Sequence, residues 1–123
     1  MEDRGRGVMS WYVLVETNEF HSGGETWDLV VKLAVEGGRD AAIARAEEMS
    51  RTYVRGADPE KCGRLVFRTS PTSWLVEQTW SVWYEGSSSP TTLARHMRIC
   101  AAELLLTREL VPADPPKKGW LRR

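Results

Sequence analysis

The side chains able to do chemistry in this chain are few and scattered. There are two histidines, His21 and His96, and two cysteines, Cys62 and Cys100. A zinc site needs closely spaced thiolate and imidazole ligands, and no CxxC or paired-histidine spacing occurs. Ser22, Ser70 and Ser73 fall in turns, but none sits in a GxSxG elbow. A Ser–His–acid set could be drawn from any chain with two histidines, so it has no specificity here. Gly37-Gly38 opens a helix and could offer backbone N–H groups to an anion. Without GxGxxG or GK[ST] around it, the pair reads as a strand-to-helix turn.

The remaining charged clusters have plain readings. Glu47 and Glu48 stand beside Arg45 and Arg51, and the four-residue spacing of Glu47 and Arg51 predicts a solvated ion pair, not paired catalytic carboxylates. Arg95, His96 and Arg98, with Lys117, Lys118, Arg122 and Arg123, could meet phosphates. A solvated helix face and a loose tail account for them better. The residues therefore predict no catalytic group, no cofactor and no metal.

Composition agrees with a small folded domain. The 123 residues include 41% hydrophobic and 28% charged side chains, ordinary values for one globular unit. Lys+Arg and Asp+Glu are both 17, which argues against an obligate nucleic-acid binder. A net charge of zero also removes the self-repulsion that keeps chains apart. No signal peptide is expected behind the charged start MEDRGRG. No apolar run approaches the ~20 residues of a membrane span. With no cysteine framework, a soluble cytoplasmic protein is expected.

The elements that must position any surface follow from periodicity. Residues 1–9 read as a loose arm. Strand one spans 10–16, a turn spans 17–25, and strand two spans 26–36 with Trp27, Leu29, Val31, Leu33 and Val35 on one face. A helix is expected over 39–54, with Ile43, Ala46, Met49 or Ser50, and Tyr53 buried. Strand three (63–69) and strand four (73–84) flank a turn at Ser70-Pro71-Thr72. Ser89 and Pro90 look like the N-cap and first position of a second helix over 91–110. A Pro-rich, basic tail follows over 111–123. The expected fold class is α+β, ββαββα: a four-stranded antiparallel sheet with two helices on one face. The repeated ββα order raises the idea of duplicated halves, 10–54 and 63–110.

Two helices cover only one sheet face. On strand four, Trp74 and Trp80 are expected beneath them. The uncovered face is expected to show Tyr12, Leu14, Val30, Val66, Leu75 and Trp83, interleaved with Lys32, Arg64, Arg68, Glu16 and Glu77. Such a face is too apolar for plain solvation and too charged for a core, as contact surfaces often are. The candidate partner-binding residues are Tyr12, Leu14, Lys32, Arg64, Val66, Arg68, Leu75 and Trp83. The plainer alternative is that the arm or tail covers the face.

The segment GRLVFRTSPTSWLVE, residues 63–77, resembles a recurring segment of small actinobacterial (Streptomyces-like) proteins. Arg outnumbers Lys 13 to 4, a bias that fits a GC-rich source. The resemblance extends around that segment over about a third of the chain and implies no activity.

The first functional expectation is a non-enzymatic protein that forms a homodimer or binds a protein partner through the uncovered face, centred on Trp83, Tyr12 and Leu75. A second is single-stranded nucleic-acid binding on that face, stacking on Tyr12 and Trp83 with Lys32, Arg64 and Arg68 supplying charge. A third is an enzyme pocket at the sheet–helix edge near Glu25, His21 and Gln78.

Overall fold

The computed structural model describes residues 10–21 and 23–117. The expected arm over 1–9, the Ser22 turn residue and the last basic residues, 118–123, lie outside them. The elements run β1 (Trp11–His21), β2 (Gly24–Val35), α1 (Gly38–Thr52), a 3-10 turn (Pro59–Lys61), β3 (Gly63–Ser70), β4 (Ser73–Val82) and β5 (Thr91–Glu103). The strands form one antiparallel sheet in the order β2-β1-β5-β4-β3. Two hairpins, β1–β2 and β3–β4, are thus joined by the last strand, which lies between them.

This corrects the expected fold class. Among the described residues the sheet has five strands, not four, and one α-helix covers it, not two. Residues 91–110 are not a helix: Thr91–Glu103 is β5, and residues 104–110 have no regular structure. Leu93, Met97, Ala101 and Leu104 suggested a helical stripe, and Leu, Ala, Arg and Met favour helices locally. But Met97, Ile99 and Ala101 also fall at period two, and β5 pairs along both its edges, with β1 and with β4. Ladder pairing and burial on both sides outweigh a propensity of tenths of a kcal/mol per residue. The ββα order is accordingly not repeated in the second half.

The helix forms where expected. Gly37 precedes it with φ +110°, and a Cβ there would stand 2.9 Å from the Ala41 Cβ, so this turn requires glycine. Asp40 occupies the first turn and Arg51 the last, both in the dipole's favour. Ala42, Ala46, Met49 and Ser50 are its buried face. The small Ala42 and Ala46 let the helix lie close over the central strands. They pack with Val13, Val15, Trp74, Val76, Met97, Ile99 and Ala101 into the core. Trp74 is buried as expected, while Trp80 is only half-buried.

Two buried polar groups tie the connections to this face. The Gln78 amide accepts from the Arg55 N–H at 3.2 Å and donates to the Arg55 carbonyl at 3.1 Å. This pins the segment after the helix to β4. Thr17 donates to Glu19, whose carboxylate also meets Arg55 at 3.2 Å and Arg95 at 3.4 Å. The Thr17 hydrogen bond, aided by the two arginines and opposed by burial, lowers the Glu19 pKa below its ordinary value.

A bulge on β2 decides what the other face displays. The register shifts between Val15 and Glu16, which pair with Val31 and Leu29. Val30 is the extra residue, and on either side of it the faces of β2 exchange. Val31, Leu33 and Val35 stay on the helix side, opposite Val15, Val13 and Trp11. Trp27 and Leu29 turn to the uncovered side, so the continuous five-residue face expected for strand two is divided.

Candidate interaction surface

The uncovered face is built from residues that oppose one another across the ladders. Tyr12 lies against Ala102, and Leu14 against Cys100, which in turn faces Ser73. Glu16, Arg98, Leu75 and Phe67 form the next row, and His96, Glu77 and Leu65 the one after. Two pairs of polar groups meet laterally on this face. Arg98 stands 3.9 Å from Glu16 and lies over the Trp27 ring at 3.8 Å, a cation–π contact. His96 and Glu77 meet at 3.0 Å.

Apolar groups between these pairs remain in solvent. Leu65 is 54% exposed, Phe67 52% and Leu29 48%. A groove of about 490 Å³ is lined by Tyr12, Leu14, Lys32, Ala102, Glu103, Leu104 and Leu105. It joins the face to the start of the C-terminal segment. A second hollow, of about 410 Å³, lies where Glu16, Leu75, Arg98 and Cys100 meet. Burial first, and Glu16 second, push the Cys100 thiol above its ordinary pKa.

Of the eight expected contact residues, the structure brings together four. Tyr12, Leu14, Lys32 and Leu75 share the uncovered face. Arg64, Val66 and Arg68 do not: they oppose Gln78, Val76 and Trp74 and so lie on the helix side. Leu65 and Phe67, expected in the core, take their places outside.

The reason for the exchange on β3 is visible in its contacts. β3 is an edge strand, where the helix no longer enforces burial of its largest apolar groups. Its register instead lets Arg64 reach the end of α1, donating to the Ser50 carbonyl at 3.1 Å and the Tyr53 carbonyl at 2.5 Å. A cation satisfying the last carbonyls is a favourable helix terminus. Partial burial lowers the Arg64 pKa from the usual guanidinium value. Arg68 donates to the Ser70 and Pro71 carbonyls and lies over Trp74 at 5.4 Å. Both arginines are therefore engaged by the fold, away from the face on which a nucleic acid would stack.

Trp83 follows the end of β4 and is 64% exposed, so it borders the sheet instead of centring its face. The expected basic helix face over Arg95, His96 and Arg98 is divided by the strand geometry. Arg95 joins Glu19 on the helix side; His96 and Arg98 face outward.

Gln78, placed in the expected enzyme pocket, has its amide committed to Arg55; the His21 side chain lies outside the described residues. Glu47 and Arg51 form the anticipated ion pair at 3.1 Å. Among the described residues, no group of three His, Cys, Asp or Glu side chains could hold one metal ion. No described helix is long and apolar enough to cross a membrane.

Sequence reasoning missed Trp27, Leu29, Leu65, Phe67, His96 and Arg98 as members of this face. The two groups on β2 depend on the bulge, and the two on β3 on the edge-strand register. Those on β5 depend on strand formation itself. No family model, no curated protein and no solved structure matches the chain.

Proposed function

We propose that this chain is a non-enzymatic interaction protein that uses the uncovered sheet face to bind a protein partner or a second copy of itself. The observation that carries the reading is the set of exposed apolar groups on this face, Leu65 and Phe67 on one edge strand and Leu29 on the other, with Tyr12, Leu14 and Leu75 on the strands between. A patch of this kind, rimmed by charged groups, is the ordinary form of a contact surface. Glu16 already has Arg98 beside it and Glu77 has His96, so covering the face leaves Lys32 as the charge that a partner must meet.

The test is Phe67→Glu, made on an exposed side chain so that the fold survives. Wild-type and variant proteins are compared by light scattering over a range of concentrations and by affinity capture. The reading expects an assembly or a captured protein with the wild type that the variant loses while it still melts cooperatively. A wild type that stays monomeric at high concentration and captures nothing dependent on Phe67 overturns it.

A further inference from the structure

The segment following β5 is the feature that the fold leaves unused. Residues 104–117 have no regular structure and every one of them is exposed. Yet the segment begins with a strongly apolar stretch: Leu105 is 85% exposed, Leu106 71%, Leu110 88% and Val111 83%. Five exposed apolar side chains within eight positions mark a contact segment.

Within one chain the segment does not bury these groups on its own sheet face. Leu104 donates its N–H to the Ser10 carbonyl at 2.7 Å, which extends the pairing of β5 with the start of β1. Leu104 and Leu105 border the groove beside Tyr12, Leu14 and Lys32. From Leu105 to Val111 the apolar side chains nonetheless stay exposed.

We propose that two copies of this chain pair with exchanged arms, residues 104–111 of each lying along the uncovered sheet face of the other. This rests on the reading of that face as an interface and names its occupant. Both halves of the contact are present on one chain, as an isologous two-fold dimer requires.

Length fits: eight extended residues reach roughly 26 Å, enough to cross five strands that span roughly 19 Å. Size fits as well. The eight residues of the arm and about a dozen on the face give each copy roughly 20 residues, the lower end of a standard interface. Charge also fits. The face carries both signs, in Glu16, Glu77, Arg98 and Lys32, so it can meet a second copy without like-charge opposition. The chain's formal net charge is +0, so no overall repulsion opposes association. The groove between Tyr12, Leu14 and Leu105 makes arm and face one continuous surface.

The test uses the full-length protein and two exposed-site variants. One is the arm double variant Leu106→Asp/Leu110→Asp, and the other is the face variant Phe67→Glu. Sedimentation of the wild type is expected to give a mass near twice the 14.0 kDa of the chain. Each variant is expected to dissociate at least roughly 100-fold more readily, as loss of two buried leucines or of one phenylalanine implies. Mixing the two variants is expected to restore part of the dimer, because an intact arm then meets an intact face.

A dimer that survives the arm variant but not Phe67→Glu overturns arm exchange and leaves the face reading standing. A monomeric wild type also overturns arm exchange, and the face reading then depends on Phe67-dependent capture of a different protein. A dimer indifferent to both variants overturns both.

Discussion

The two faces of this sheet solve the same problem in opposite ways. On the helix side, the apolar groups of the central strands are buried, and polar groups there are tied to named partners: Gln78 to Arg55, Arg64 to the end of α1, Glu19 to Thr17 and two arginines. On the other side, the same strands display aromatic and aliphatic groups between charge pairs, with nothing from the described chain above them. One face is finished within the domain, whereas the other, on the proposed reading, is completed by another molecule. Stability should therefore depend on the first face and association on the second.

Substitutions separate the two in order of effect. Ile99→Ala, on the helix side of the central strand, is expected to cost about 2–5 kcal/mol through lost contacts and a residual cavity, read as a lower denaturant midpoint. Gln78→Leu should cost about 1–3 kcal/mol, because it leaves the Arg55 N–H and carbonyl without partners in a buried place. Across the sheet, Leu65→Ala removes an apolar group of similar size yet should change stability by no more than about 0.5 kcal/mol. Comparable losses on the two faces would break the distinction.

The Glu19 cluster gives a pH signature for the helix side. The folded chain holds this carboxyl below its ordinary pKa, so on acidification the unfolded chain binds the proton first. The stabilisation is complete above the ordinary carboxylate range and drains away as pH falls through it toward the folded value. Urea midpoints measured from pH 7 down to pH 3 should fall less steeply in Glu19→Gln than in the wild type. Parallel curves would show that the cluster does not contribute.

The smallest effect concerns Cys100, which reports on the uncovered face. Its thiol is raised by burial and by Glu16, so alkylation of the Cys62→Ser protein at neutral pH should be slower than for an ordinary cysteine. Phe67→Glu, by removing whatever covers the face, should speed it.

Some of this architecture was legible in the residues and some was not, for physical reasons. Gly37-Gly38 followed by an amphipathic run marked α1 to within a residue or two, and Ser70-Pro71-Thr72 marked the β3–β4 turn. These are local signals. β5 was hidden because its helix-forming composition competes with pairing to two strands distant in sequence, and only the assembled sheet decides between them. The β2 bulge at Val30 carries no local marker, yet it moves Trp27 and Leu29 to the other face. The faces of β3 were exchanged for a similar reason: an edge strand obeys its register, and the reach of Arg64 to the Ser50 and Tyr53 carbonyls, more than the size of Leu65 and Phe67. Half of the candidate contact surface was still found, because Tyr12, Leu14, Lys32 and Leu75 lie on strands whose alternation is uninterrupted at those positions.

The most direct measurement is paired melting and light scattering of the wild-type and Phe67→Glu proteins at concentrations up to several hundred micromolar. A face completed by another molecule requires a variant that still melts cooperatively, at the temperature of the dilute, dissociated wild type, together with loss of the assembled mass or of the captured partner. A wild type that remains at the 14.0 kDa monomer mass and captures nothing dependent on Phe67 would contradict it.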